Sequence, residues 1–151
     1  MVLTRRSNVG VGPCITERAA IGNRARAHAA LSIHADGAAA GVRGFHVIHP
    51  VALRGLTTDI VASSARLARS VRDAYAARTG LPPASYAGRG GLHARGDLGG
   101  LNLSDVPKVF VECGNLRNAR DARLLGSPSF RQRIAVALAE GLGRHLGRRG
   151  A

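Results

Sequence analysis

The chain of 151 residues has no tryptophan, two tyrosines, three phenylalanines, one methionine and two cysteines. So few aromatic side chains leave no platform on which bases could stack, which counts against nucleic-acid binding despite a formal net charge of +13. Lysine is nearly missing: Lys108 is its single occurrence, and the rest of the 22 basic residues are arginine, against 9 acidic ones. The arginines are spread among many alanines and glycines, with one modest cluster at Arg144, Arg148 and Arg149. Compositional bias accounts for them as well as an anionic partner does. Two cysteines cannot build a disulfide framework. Cys14 and Cys113 could pair with each other; Cys113 follows an apolar strand and reads as a small core residue, while Cys14 lies in a Gly-Pro-Cys turn and could be half of a bridge whose partner is elsewhere. Residues 1–12 carry two arginines and no apolar run, so they do not read as a signal peptide, and no stretch reaches transmembrane length. The length suits one domain with a single core.

What is there is an alternation of strand and helix patterns. In Leu31-Ser32-Ile33-His34-Ala35-Asp36, apolar and polar residues alternate with the period of a half-buried strand. A second strand is expected over 43–49, with His46 and Ile48 on one face and Phe45 and Val47 on the other, and a third over 108–112. A strand-like scrap stands at 2–4. Thr16 is the expected N-cap of a first helix, with Glu17 in its first turn, running to the region of Arg24 and Arg26. The longest periodic segment, 59–78, places Ile60, Ser64, Leu67, Ala68, Val71 and Tyr75 on one face. Gly80 and Pro82-Pro83 end it. Residues 84–105 read as an irregular, glycine-rich loop with Ser85-Tyr86 extended, and a loop of that length is more often functional than idle. A short helix follows over 119–125. Ser127-Pro128 then opens a last helix as N-cap and N1, with Phe130, Ile134, Leu138 and Leu142 as its buried stripe. The expected class is α/β, an open, mostly parallel sheet with helices on both faces.

His34 sits where one strand runs out, and Glu112 sits where another does. If those strands are parallel, the two side chains emerge at one sheet edge, where open α/β sheets carry their active groups. A histidine with a carboxylate makes a metal or hydrolytic site. His46 and His93 are the further histidines that could approach it, although nothing in the sequence requires either. His28, His49 and His145 read as surface or helix-end residues.

Five stretches resemble, in order and spacing, the zinc-dependent N-acetylmuramoyl-L-alanine amidases of the bacterial cell wall. They are Glu17-Arg18-Ala19 with Asn23, Ser32-Ile33-His34-Ala35-Asp36, Arg43-Gly44-Phe45-His46-Val47, Asp97-Leu98-Gly99-Gly100-Leu101-Asn102, and Val111-Glu112-Cys113-Gly114-Asn115-Leu116-Arg117-Asn118. The likeness runs from about Leu3 to Leu142 and is greatest to the compact, secreted, single-domain members. It implies a zinc ion, Zn2+, held by two histidines and a glutamate, with His34 as the second histidine and Glu112 as the catalytic acid/base. Such a zinc leaves a position for water and lowers its pKa toward ~7. The bond cut would be the amide between N-acetylmuramic acid and L-alanine of the stem peptide. The implied partner is peptidoglycan or a muropeptide, with no nucleic acid and no membrane span, for a monomer acting outside the cytoplasm or in the cell wall. Arg43 and Arg95 could then meet stem-peptide carboxylates, or be ordinary solvated arginines.

The resemblance also has departures. The family's first zinc histidine, in an Asp-Pro-Gly-His motif, and its zinc glutamate precede the segment that matches 2–5. The expectation is therefore a single amidase-like domain, 1–151, without the opening strand, the first two zinc ligands or the upstream cysteine that would bridge to Cys14. Cys113 stands where the family has leucine. Two alternatives stay open: an amidase-like remnant or peptidoglycan-binding module without zinc, and a basic nucleic-acid binder that borrows the layout.

Overall fold

Apolar side chains recur along 60–75 every three or four residues, and burying that stripe organises one half of the molecule. In the computed structural model, which describes residues 1–7 and 9–147, Leu67, Ala68, Val71 and Tyr75 are fully enclosed. The chain forms helix α1 (Ile15–Arg24), strands β1 (Ala30–Asp36) and β2 (His46–Pro50), and helix α2 (Val61–Thr79). Strand β3 (Leu92–Arg95), the short helix α3 (Gly99–Asn102), strand β4 (Lys108–Asn115) and helices α4 (Ala119–Gly126) and α5 (Pro128–His145) complete it. Of the basic cluster expected at the C-terminus, Arg148 and Arg149 lie outside the described residues.

The sheet order is β1-β4-β2-β3, with β1 parallel to β4, β2 parallel to β3, and β2 antiparallel to β4. The expected α/β class, mostly parallel with helices on both faces, is the observed one. Alternation along the strands sends Phe45, Val47, Val109, Val111 and Cys113 to one side. There they meet Leu67, Val71 and Tyr75 of α2 and Phe130, Ile134 and Leu138 of α5. Gly141 lets the two helices close: a Cβ there would stand 2.6 Å from Val71 Cα. On the other face Phe110 lies under Gly100 of α3, where a Cβ would come within 2.8 Å of its ring. Asn23 of α1 donates to the Leu103 carbonyl and accepts from Asp105 N–H, tying α1 to the segment between α3 and β4. Cys113 is buried and Cys14 exposed, both as free thiols.

Several local expectations need correcting. Cys14, not Thr16, is the N-cap of α1, because the carbonyl of Cys14 already accepts the Arg18 N–H; the Thr16 hydroxyl turns back to Cys14 Sγ at 3.1 Å. Residues 2–4 form no strand; Val2 and Leu3 are exposed and pair with nothing among the described residues. Strand β2 starts at His46, not at 43, because Gly44 has φ +111° and passes so close to Pro82 that any Cβ would lie 2.5 Å from its carbonyl oxygen. The stretch 84–105 is not one irregular loop. It holds β3 and α3, while Ser85 and Tyr86 form a bend. A four-residue strand is too short to show a period, and β3 exists because β2 offers it a partner.

Strand β1 is an edge of the sheet, and Ile33 on it is 64% exposed. Beside it runs a groove of about 380 Å³ between Ile33, Cys113, Leu125, Ile134 and Leu138. Among the described residues no helix is long and apolar enough to cross a membrane.

Candidate active site

Register assembles the site. His34 is paired with Glu112 across β1 and β4, and His46 with Glu112 across β2 and β4. Paired residues project to the same side, so His34, Glu112 and His46 form one row on the face opposite α2 and α5. The parallel pairing does bring His34 and Glu112 side by side, but neither strand runs out there: β1 continues to Asp36 and β4 to Asn115, because the ladder resumes after a bulge. His93, paired with Ile48 on β3, continues the patch, its ring centroid 5.6 Å from that of His46. Tyr86 meets His46 edge-on at 6.0 Å. His34 is exposed at the outer end, its ring stacked on Phe110 at 5.1 Å and 12°. A bulge between His34 and Asp36, where Asp36 comes to pair with Asn115, breaks the ladder just past the row. Such bulges re-aim side chains beside functional sites.

The end of β4 and the entry to β2 are held by one carboxylate. Asp121, fully buried on α4, accepts from Arg43 Nε (2.9 Å), Gly44 N–H (2.8 Å) and Asn115 N–H (3.2 Å). Asn115 in turn donates through its side chain to the carbonyls of Ala39 and Val42. The Asn118 side chain caps α4 and donates to the Ala40 carbonyl, so the loop after β1 is bound to the same corner. From the core side Tyr75 donates its hydroxyl to the Cys113 carbonyl at 2.7 Å, at the bulge itself.

The electrostatics follow from burial. Glu112 is pushed up to about 7, chiefly by burial, with the Asp36 carboxylate adding and Arg95 opposing. Burial pushes His46 down to about 4, and it also lowers His93, where Arg95 works in the same direction. The Tyr86 phenol is raised by burial and by Asp36. His34 is lowered by partial burial and by the cations Arg18 and Lys108. Near neutral pH the two inner imidazoles and the phenol are uncharged, and Glu112 can hold or release a proton. Five buried side-chain atoms lack a hydrogen-bond partner among the described residues: His46 Nδ1, Tyr86 Oη, His93 Nδ1, Asn102 Oδ1 and Glu112 Oε2. Four of them belong to this one patch. An unsatisfied buried polar atom costs roughly 1–3 kcal/mol, so these four atoms call for hydrogen bonds from water or from a polar ligand.

Of the arginines flanking the motifs, Arg43 is engaged by Asp121 and Arg95 by Asp97 (2.9 Å). Asp121 and Tyr86 are the residues that the sequence reading missed. Tyr86 stands in a glycine-rich bend with no periodic signal, and a lone buried aspartate on a short helix looks like any surface acid until the fold encloses it. Among the described residues no three His, Cys, Asp or Glu side chains converge so that they could hold a metal ion. His34 is an exposed imidazole, His46 is buried beside Glu112, and His93 is half-buried one strand further on. This donor set does not fit a three-ligand zinc site.

The profile of a protein family described as N-acetylmuramoyl-L-alanine amidase matches residues 1–144. A curated N-acetylmuramoyl-L-alanine amidase of Mycobacterium tuberculosis is 40% identical over 148 residues, which cover 98% of this chain and 60% of that relative. The crystal structure of an N-acetylmuramyl-L-alanine amidase of Mycobacterium smegmatis, Ami1, superposes with a TM-score of 0.89 at 44% identity, covering 97% of this chain and 66% of that one. The apo form of Ami1 from Mycobacterium abscessus gives 0.86 at 42% identity, covering 95% and 66%. The chain thus spans about three fifths of the curated relative's length.

Two measurements test this geometry. Asp121→Ala removes the buried acceptor of three donors and is expected to cost about 3–5 kcal/mol in urea unfolding, as for other broken buried pairs; a loss under about 1 kcal/mol would contradict its role. The raised pKa of Glu112 means that the folded chain keeps a proton that the unfolded chain releases. Its stabilising share is full below the ordinary value of 4.5 and is lost as pH rises through about 7. The Tm of Glu112→Gln relative to the unaltered chain should therefore climb from pH about 4.5 to about 8. A difference independent of pH would contradict the burial of that carboxyl.

Proposed function

Because the chain belongs to the N-acetylmuramoyl-L-alanine amidase family, we propose that it acts on peptidoglycan, at the amide joining N-acetylmuramic acid to L-alanine, with Glu112 as the proton carrier. The observation that carries this reading is Glu112 itself. It lies on β4 between His34 of β1 and His46 of β2, has one buried oxygen with no partner among the described residues, and has its pKa pushed up to about 7. Amide hydrolysis needs a group that takes a proton from water and returns one to the departing amine, and a carboxyl poised near the working pH does both. His46 flanks that carboxyl on the neighbouring strand as an uncharged ring. His34 occupies the position that the resemblance gives to a zinc ligand; as a lone donor it is one of the three ligands such an ion requires. The site of action proposed is the cell wall, outside the cytoplasm.

A second reading is favoured by one observation: no three metal-ligating side chains converge among the described residues. On that reading the chain holds muropeptides without cutting them. One experiment separates the two. Purified chain is incubated with muropeptides, with and without added zinc, and stem peptides bearing a free L-alanine amine are measured by mass spectrometry. The amidase reading expects release, reduced at least ~100-fold in Glu112→Gln while muropeptide binding persists. Release unchanged in that variant would remove Glu112 from the chemistry. Binding without release by the unaltered chain, whether or not zinc is added, would select the second reading.

A further inference from the structure

We propose that His46, Tyr86 and His93 form a subsite beside Glu112 that takes an uncharged amide group of the stem peptide. The inference rests on the muropeptide reading above, in either of its forms, and it concerns what the site selects.

The three rings make a continuous polar wall. His46 is only 3% exposed, with its ring 5.6 Å from His93 and 6.0 Å from the edge of Tyr86. Each ring presents a buried atom with no well-formed hydrogen bond among the described residues: Nδ1 of both histidines and the hydroxyl of Tyr86, which has the Asp36 carboxylate beside it. Glu112 Oε2, in the row beside His46, is the fourth. Core packing does not require three such side chains side by side, and polar networks left open in a low-dielectric place are expensive unless a ligand completes them.

The chemistry of the wall defines the ligand. A phenol and a neutral imidazole each donate one hydrogen bond, and an imidazole nitrogen or a carboxylate accepts one. Together they offer donors for a carbonyl oxygen and acceptors for N–H groups, which is the pattern of an amide. A carboxylate presents acceptors only. It would also bring a negative charge toward Asp36 and Glu112, and the two arginines flanking the motifs are already paired, Arg43 with the buried Asp121 and Arg95, which faces this patch, with Asp97. Burial lowers the pKa of both histidines, so they do not supply a charge near neutral pH either. A sugar hydroxyl could bond to the same wall, but it would give no preference between an amide and an acid elsewhere in the ligand.

The test uses two probes that differ in one group, N-acetylmuramoyl-L-alanyl-D-isoglutamine, with a carboxamide, and N-acetylmuramoyl-L-alanyl-D-glutamate, with a carboxylate there instead. Dissociation constants are measured by titration calorimetry at neutral pH for the unaltered chain, Tyr86→Phe and His93→Leu, with circular dichroism checking that each is folded. The unaltered chain should bind the carboxamide about tenfold more tightly, as a site built to hydrogen-bond a group rejects the analogue lacking it. Each variant should bring the two probes to within about twofold of each other. Equal binding of both probes by the unaltered chain, or a preference kept in both folded variants, would overturn the subsite. Failure of the unaltered chain to bind either probe would overturn the muropeptide reading as well.

Discussion

One buried carboxylate sets the geometry on which the site depends. Asp121 has no contact with solvent and accepts from the side chain of Arg43 and the backbone of Gly44 and Asn115. Those residues are the approach to β2 and the last residue of β4, so one acceptor pins the two strands whose antiparallel pairing sets His46 beside Glu112. The cost of enclosing the charge is offset by a full set of donors. Gly44 is part of the same device: only a residue without a side chain can turn there against Pro82 and still present its N–H to Asp121. The Tyr75 hydroxyl secures the bulge from beneath, and α2 thereby connects the packed core to the polar face above it.

That polar face differs from an ordinary solvated sheet surface because its groups are enclosed before they are satisfied. Burial drives Glu112 and His46 in opposite directions, toward about 7 and about 4, so the carboxyl tends to keep its proton and the imidazole to lose its own. The two neighbours are thereby uncharged over much of the same pH range. A site lined in this way favours neutral polar groups, because its partly buried atoms gain hydrogen bonds that they otherwise lack.

Much of this was legible in the sequence. The stripe on α2 and that on α5 were readable because burial on a long helix repeats often enough to show a period. The pairing of His34 with Glu112 needed only two strand ends and the assumption that their strands are parallel. The antiparallel join of β2 to β4 was not legible, since a period-2 pattern says which face a residue occupies and nothing about which strand lies beside it. It is that join which turns His46 from a bystander into the neighbour of Glu112. Strand β3 and helix α3 were hidden by their length, four residues each, and with them the place of His93. Asp121 and Tyr86 have no local signature at all; their roles arise from contacts with residues far away in the chain.

The central claim is that the face carrying Glu112, His46, His93 and Tyr86, and not the apolar groove along β1, receives the muropeptide. It is tested most directly by NMR titration of the isotope-labelled chain with N-acetylmuramoyl-L-alanyl-D-isoglutamine, following the histidine ring and backbone amide signals. The account predicts saturable shifts at the His46 and His93 rings and at the amides of Tyr86 and Glu112. Shifts confined to Ile33, Leu125, Ile134 and Leu138 would place the ligand in the groove and contradict the account.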